Sequence, residues 1–482
     1  MNQAMKKTLS ALAALVILLG LAGAAGAQTK GRPENTLYTV QPEAVVLDEA
    51  TGQGYINNMM LVFVKEGVGE EELLSFFPGE EAKIMGRFPL LHQYQVQVKP
   101  RDKAGLEQLA HVLMKRPQVR YAHLDLAAFS GSGNSRQSEE PADYPMEGPP
   151  ILDSLPQSQW WQEAIRMKEA QALMKGPYTI KAGVVDDGFD MGHPALNLVF
   201  PGKEQEQQNY AEFHGTHVAG IIQQILPGAP ITVLDSYRIP ELDPMAYVGT
   251  VSLFLKHLVD MVEAGVQVIN YSMGFDIWED EKLPWNSEMG QVISVYMWLL
   301  MDQGQRFMVV QSAGNSGIDA DRNGMFCAIT PDNALGSAEV QAALGISDRL
   351  QAEQQKILDS ILVVTATDKK DREGDYFLPG DSNFGKTVTL AAPGEDIISA
   401  VPGGFRSSGG TSQAAPMVTA AAAMVWSVNP ALTPGQVKEI LINSATEQVK
   451  DKTAERSPQD LRSYPLLNLE EALTMSQASL TK

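Results

Sequence analysis

The sequence contains one cysteine, Cys327, so no internal disulfide can form within its 482 residues. A secreted domain without disulfides depends on its hydrophobic core, on bound ions or on both. Basic residues are also few, because 37 lysines and arginines stand against 58 aspartates and glutamates, giving a formal net charge of −21. Binding to nucleic acid through phosphates needs clustered lysine and arginine, so this balance argues against such a partner.

Long apolar runs are scarce, and the only one that approaches membrane-spanning length lies between Leu9 and Ala27. Lys6 and Lys7 precede the run, and small residues end it with the pattern Ala-Gly-Ala, as at a signal-peptide cleavage site. We therefore predict a signal peptide over residues 1–27 and export to a periplasm or to the medium, without membrane association after cleavage. An uncleaved membrane anchor is the alternative interpretation.

Composition divides the rest of the chain into four segments. Residues 28–53 have no strong pattern and are interpreted as a leader. Residues 54–127 carry strand and helix patterns in the order β-α-β-β-α-β, which predicts a small ferredoxin-like domain. Residues 128–156 are rich in Ser, Gly, Pro and acidic residues and predict an exposed linker, where proteolytic cleavage concentrates. Residues 157–476 alternate strands and helices, which predicts an α/β fold with a parallel sheet covered by helices on both faces.

Four short motifs in the last segment carry the residue types of an acyl-transfer site. They are VVDDGFD around Asp186, FHGTHVAG around His214, QSAGNSG around Asn315 and GGTSQAAP around Ser412. A serine hydroxyl becomes a good nucleophile only when a base accepts its proton, and imidazole titrates near neutrality. A carboxylate can orient the imidazole, and an amide can donate to the oxyanion that forms.

Each motif also has a structural interpretation when it is taken alone. Ser412 is compatible with a cap on a small-residue helix, and Asn315 with a turn residue. His214 and His217 have the spacing of a metal pair, but neither the Glu of an HExxH motif nor a Cys ligand accompanies them.

Taken together, the motifs and their order, Asp before His before Ser, resemble those of the subtilisin-like serine proteases, or subtilases. The resemblance implies that Ser412 is the nucleophile and that His214 is the general base and then the general acid. It further implies that Asp186 orients His214 and that Asn315 donates to the oxyanion together with the Ser412 N–H. The second histidine of HGTH, His217, has a structural role in that family.

The same resemblance implies two walls that bind a substrate peptide, the first being an edge strand along which the peptide pairs. The six wall residues are Ser272, Met273 and Gly274 in the first wall and Ser312, Ala313 and Gly314 in the second. Small walls suggest room for a sizeable apolar side chain between them.

The segment 54–127 resembles the inhibitor-type propeptides of subtilases, whose last strand leads a tail into the active-site cleft. We therefore expect a secreted, self-processing serine endopeptidase with polypeptides as substrates and its own propeptide as an intramolecular inhibitor. A catalytically silent peptide-binding relative is one alternative, but such a protein has no need of Asp186 or Asn315. An ester or lipid hydrolase is another, and the G-x-S-x-G motif typical of that class is absent around Ser412.

No cofactor is expected for the chemistry, but an insertion over residues 316–360 raises the question of structural calcium. Three polar residues there match the start of a calcium loop, D-x-D-x-N-G: Asp319, Asp321 and Asn323. The twelfth position is Thr330, so the bidentate glutamate is missing, and a polar turn is the alternative. Cys327 lies in the same insertion and is expected to be an inert, buried thiol.

Overall fold

A computed structural model of the chain describes residues 35–130, 159–201, 213–236, 247–274, 285–452 and 462–480. The predicted signal peptide and most of the predicted linker lie outside these residues. Within the described ranges, no helix has both the length and the apolar character that crossing a membrane requires.

The small domain has the predicted β-α-β-β-α-β order. Its elements are β1 (Val45–Leu47), β2 (Gly54–Val64), α1 (Glu70–Leu74), β3 (Lys83–Phe88), β4 (Gln93–Gln97), α2 (Lys103–Met114) and β5 (Val119–Ser130). Neighbouring strands are antiparallel in the order β3-β4-β2-β5, which is the split arrangement of the ferredoxin-like fold. Helix α2 turns its apolar face, with Leu106 and Leu113, into the core. Strand β1 lies in the predicted leader and pairs with β2, so part of the leader belongs to this sheet.

The larger domain contains a sheet of seven parallel strands, as the sequence predicts, in the order β14-β12-β11-β10-β6-β8-β7. These strands are β6 (Ala182–Asp186), β7 (Leu198–Val199), β8 (Ile231–Asp235), β10 (Val268–Tyr271), β11 (Met308–Ser312), β12 (Ile361–Thr367) and β14 (Leu390–Pro393). The central strands read as continuous apolar runs because helices cover both faces of a parallel sheet.

Ten helices of the larger domain lie within the described residues. They are α3 (Trp160–Ala164), α4 (Met167–Leu173), α5 (His214–Ile225), α6 (Val251–Glu263), α7 (Trp285–Asp302), α8 (Ala338–Leu344), α9 (Leu350–Asp359), α10 (Thr411–Val428), α11 (Pro434–Asn443) and α12 (Leu469–Ser479). Almost every residue of α10 is buried, because its alanine-rich surface lets it pack closely against the sheet and against α5.

Six further strands lie in the described part of the larger domain. They are β9 (Tyr247–Thr250), β13 (Tyr376–Phe377), β15 (Ile397–Val401), β16 (Gly404–Ser408), β17 (Gln448–Lys450) and β18 (Ser463–Pro465). The helical pattern of α6 extends in the sequence back over the residues of β9. Instead, β9 pairs antiparallel with β5 of the small domain, and the Thr250 side chain caps α6 by accepting a hydrogen bond from the Leu253 N–H at 3.2 Å.

The strand order places β6 between β8 and β10, so the chain changes direction across the sheet at β6. In such sheets, ligands bind at the carboxyl ends of the strands near this point. The predicted site residues Asp186, Ser272 and Asn315 all stand at or just after the carboxyl ends of adjacent or nearby strands, β6, β10 and β11.

Candidate active site

Asp186 and His214 form the first hydrogen-bonded pair of the site. Asp186 is the last residue of β6 and His214 the first residue of α5, and the His214 Nδ1–H donates to Asp186 Oδ1 at 2.6 Å. The Asp187 N–H donates to the same oxygen at 2.7 Å. Asp186 is only 2% exposed, and burial raises the pKa of its carboxyl although the His214 imidazole opposes the rise. The bond to Nδ1 leaves His214 Nε2 as the nitrogen able to accept a proton.

His217, the second histidine of HGTH, is fully buried, as expected for a structural role. Its Nε2–H donates to the carbonyl oxygens of Ile397 at 3.2 Å and Arg406 at 3.0 Å, which tie α5 to β15 and β16. Burial lowers the pKa of His217 to about 4, so the ring is neutral at physiological pH.

Ser412, the predicted nucleophile, is the second residue of α10 and is partly exposed. Pro416 lacks an N–H and so cannot donate to the Ser412 carbonyl four residues earlier, as a helix normally requires. Ser272 takes over this contact, because its Oγ–H donates to the Ser412 carbonyl oxygen at 2.8 Å. In return, the Ser412 Oγ–H donates to the Ser272 carbonyl oxygen at 3.3 Å.

Two further buried side chains hold Ser272 from behind. Asn270 Nδ2 donates to Ser272 Oγ at 2.9 Å, and the Thr419 hydroxyl donates to Asn270 Oδ1 at 3.0 Å. Asn270 and Thr419 are both fully buried, so this chain of bonds fixes the start of α10 against β10. Since Tyr271 of β10 pairs with Val185 of β6, Ser272 lies one step beyond that pair, beside Asp186. The structure thereby brings the Asp–His pair and the serine to the same sheet edge.

Asn315 is exposed and follows β11, where Thr411 fixes the orientation of its side-chain amide. Asn315 Oδ1 accepts hydrogen bonds from the Thr411 N–H and the Thr411 hydroxyl, each at 2.9 Å. The amide nitrogen therefore faces Gly410 and would lie 3.0 Å from a Cβ at that position. Gly410 has φ +125°, a conformation that favours glycine. The Asn315 amide therefore lies beside the residue that precedes α10, two positions before Ser412.

Asn383 holds the loop that carries Asn315, and its role was missed by the sequence reasoning. Its Oδ1 accepts from the N–H groups of Ser316 at 3.0 Å and Ile318 at 3.1 Å, and its Nδ2 donates to the Ala313 carbonyl at 2.8 Å. The side chain is 1% exposed. Asn383 lies in the sequence SNFG and fixes the backbone on both sides of the predicted oxyanion donor.

The two predicted substrate-binding walls lie next to each other. Ser272 to Gly274 follow β10, and Ser312 to Gly314 begin at the last residue of β11. The parallel pairing of Tyr271 with Gln311 keeps the walls in register. Gln311 Nε2 also donates to the Met273 carbonyl at 3.0 Å. The room expected between small walls is not open, because the buried side chain of Asn323 lies there, its Nδ2 donating to the Ser312 carbonyl at 3.1 Å.

The calcium candidate does not fit the described structure. Ala320–Asn323 forms a 3-10 turn, and the Asn323 amide is directed to the Ser312 carbonyl instead of joining Asp319 and Asp321. Among the residues that the structure describes, no cluster of three His, Cys, Asp or Glu side chains could hold a metal ion. Cys327 is fully buried, as expected, and burial raises the pKa of its thiol.

The Asn315→Ala variant is expected to lose about 100- to 1,000-fold in kcat with little change in KM, since the oxyanion exists only after attack on the carbonyl. Steady-state hydrolysis of a peptide would measure both constants. Thr411→Ser, which keeps the hydroxyl that orients Asn315, should lose far less. A raised KM with an unchanged kcat would instead assign Asn315 to substrate binding.

Comparison with known proteins places the larger domain in one family. The Subtilase family model matches residues 179–459, which is more than half of the chain. Subtilisin NAT of Bacillus subtilis subsp. natto is 25% identical over 345 residues, covering 68% of this chain and 77% of that protein. Subtilisin-like protease 10 of Arthroderma benhamiae is 30% identical over 284 residues, covering 56% of this chain but only 44% of its own length.

A solved structure extends the likeness of the fold to most of the chain. Fervidolysin from Fervidobacterium pennivorans, described as a keratinolytic enzyme related to subtilisin, aligns with a TM-score of 0.58 and 18% identity. The alignment covers 92% of this chain and 65% of that one. With the predicted parallel-sheet fold confirmed and the family model matched, the chain belongs to the subtilase family of serine endopeptidases.

Proposed function

We propose that the chain is an exported, self-processing serine endopeptidase that hydrolyses polypeptides through an acyl-enzyme on Ser412. The observation that best supports this proposal is the 2.6 Å hydrogen bond from His214 to the buried Asp186. Asp186 ends β6, and the neighbouring strand β10 leads to Ser272, which bonds the Ser412 carbonyl. A protein that only binds peptides gains nothing from an imidazole fixed by a buried carboxylate.

The geometry suits acyl transfer by the following steps. His214 Nε2 takes the proton of the Ser412 hydroxyl as Oγ attacks the peptide carbonyl, and Asp186 stabilises the imidazolium that forms. Asn315 Nδ2 and the Ser412 N–H stabilise the oxyanion. His214 then gives its proton to the leaving amine, and a water activated by the same imidazole hydrolyses the acyl-enzyme. In the structure the Ser412 hydroxyl donates to the Ser272 carbonyl at 3.3 Å, so it would turn to His214 Nε2 when substrate binds, as catalytic hydrogen bonds often form fully only in the substrate complex.

The small domain is suited to act as the intramolecular inhibitor. Residues Ala127–Ser130 of β5 pair antiparallel with β9. Helix α6 connects the β8 side of the sheet with the amino end of β10, so β9, just before α6, lies at the same sheet edge as Asp186. The backbone of β5 therefore covers an edge of β9 near the site, as a peptide does when it adds to a sheet as a further strand.

Buried polar contacts hold the small domain in this place. Asp125 is completely buried and accepts hydrogen bonds from both the N–H of Ser252 at 3.0 Å and its hydroxyl at 2.5 Å, next to the N-terminus of α6. Gln93 Nε2 donates to the Tyr296 hydroxyl at 2.9 Å. Burial raises the pKa of Asp125 to about 7, although the hydrogen bonds from Ser252 oppose the rise. Because each contact joins the small domain to a helix of the larger domain, all of them depend on the docked arrangement.

Labelling with a fluorophosphonate tests the proposed chemistry. The purified protein is expected to carry one adduct, on the peptide that contains Ser412, and to hydrolyse an unfolded polypeptide. The Ser412→Ala variant should show neither. A folded wild-type protein that binds peptides without labelling or turnover would be the silent relative instead, and the proposal would be wrong.

A further inference from the structure

One buried side chain lies between the two walls of the pocket that would receive the residue before the cleaved bond. This primary pocket is the space between Ser272–Gly274 and Ser312–Gly314. A Cβ added to Gly274 would overlap the amide of Asn323, and one added to Gly314 would lie 2.9 Å from Asn323 Cγ. The Asn323 side chain thus contacts both walls at once. At Gly274 it occupies the space that even an alanine there would need.

The loop that carries Asn323 is shaped to keep the amide in this position. The 3-10 turn Ala320–Asn323 is followed by Gly324 with φ +71° and by Met325 with φ +54°. A positive φ is uncommon for a residue such as methionine and persists only where the surroundings impose it. Met325 is 1% exposed and packs in the main hydrophobic core, which supplies that constraint.

Polar contacts fix the same loop to the second wall. Asn323 is 3% exposed, and its Nδ2 donates to the Ser312 carbonyl at 3.1 Å. Four residues later, the Cys327 N–H donates to Gln311 Oε1 at 2.9 Å, and the Cys327 thiol lies 3.6 Å from the same Ser312 carbonyl. Turning Asn323 out of the pocket would leave this buried carbonyl without the amide donor, so the side chain is held in place.

We propose that Asn323 is a specificity-determining residue that closes the deep part of the primary pocket. The enzyme then cleaves after small side chains, such as those of alanine, serine and glycine, and excludes large aromatic and aliphatic ones. This inference rests on the proposed endopeptidase function and names the substrate class of that site.

The sequence of the linker agrees with this specificity. Strand β5 ends at Ser130, and the five residues that follow it in the sequence are Gly-Ser-Gly-Asn-Ser. A self-processing enzyme has its own linker as its first substrate. With a closed primary pocket, we expect the new N-terminus of the processed protein to follow one of these small residues.

Matched peptides that differ only in the residue before the cleaved bond test the proposal. The wild-type full chain, after processing, should cleave the alanine peptide with a kcat/KM roughly 10- to 100-fold above that for the phenylalanine peptide, as pockets of different size discriminate. In Asn323→Ala and Asn323→Gly, the ratio should fall at least about tenfold, because the phenylalanine peptide gains.

Asn333→Ala is the matched control, since Asn333 is a buried asparagine of the same insertion that bonds the Ala328 carbonyl within its own loop. Its preference ratio should equal that of the wild type. Fluorophosphonate titration of each preparation gives the concentration of active sites, so misfolded protein does not enter kcat.

The measurements distinguish failure of the proposed role of Asn323 from failure of the proposed endopeptidase function. Labelled wild-type enzyme that cleaves after phenylalanine as well as after alanine, or Asn323 variants whose ratio stays at the wild-type value, would overturn the role of Asn323 but leave the endopeptidase intact. Absence of labelling and of cleavage for every peptide would overturn the proposed function itself.

Discussion

The Ser412→Ala variant, expressed without residues 1–27, is expected to keep its full length while the wild-type chain loses roughly its N-terminal quarter. The alanine cannot attack the carbonyl of a linker bond, so neither an acyl-enzyme nor a new N-terminus forms. In the related subtilisin, loss of the nucleophile costs about 10⁶-fold in kcat, and we expect a similar loss on peptide substrates. Intact mass spectrometry of both proteins measures the processing.

Ser408→Ala is a suitable control, because Ser408 is a partly exposed serine of β16 only four residues before Ser412. It should be processed as the wild type is. If wild type and Ser412→Ala both remain whole, another protease would have to activate the chain. If both are cut at the same bond, the cleavage comes from the host and self-processing is wrong.

Replacing Asp186 by asparagine is expected to lower kcat by about 10⁴-fold, as removal of the negative charge does in the related triads. An asparagine keeps the shape of the side chain but can present its N–H₂ to His214. The imidazole would then be held in the tautomer that places a proton on Nε2, where it cannot accept one from Ser412. The KM for peptides should change little, since Asp186 is buried and lies behind His214.

The neighbouring carboxylate supplies the control for this prediction. Asp187 accepts a hydrogen bond from the Ser236 hydroxyl, while its own N–H supports Asp186. Asp187→Asn retains that N–H and the Asp186 charge, so its kcat should fall far less. Equal losses in the two variants would mean that the local fold, rather than the charge on Asp186, controls turnover.

The sequence predicts those elements whose local residue pattern matches their burial in the fold. Buried parallel strands such as β12 read as continuous apolar runs, and α10 reads as a small-residue helix that begins at a serine. The four motif residues can be recognised because each is a polar residue near a glycine at the end of such an element. They are Asp186, His214, Asn315 and Ser412. These signals are local, so they survive without knowledge of the tertiary structure.

Contacts between distant segments are what the sequence could not supply. Strand β9 exists because β5, more than a hundred residues earlier, pairs with it, and without that partner its residues read as the start of a helix. Asn323 matched the start of a calcium loop by spacing, but its position is decided by the packing of Met325 and by the Ser312 carbonyl. Asn383 likewise acts on residues some seventy positions away.

Because β5 pairs with β9, the proposed cleavage of the linker would make the association of the two domains depend on protein concentration. In the proposed zymogen the two domains belong to one chain, so the small domain would meet its docking surface at an effective concentration on the order of millimolar. The proposed cleavage of the linker would turn the same contacts into an association of two separate molecules. If the chain is exported as proposed, dilution would then favour dissociation without any change in the interface, and the surrounding volume would act as a signal that frees the active site.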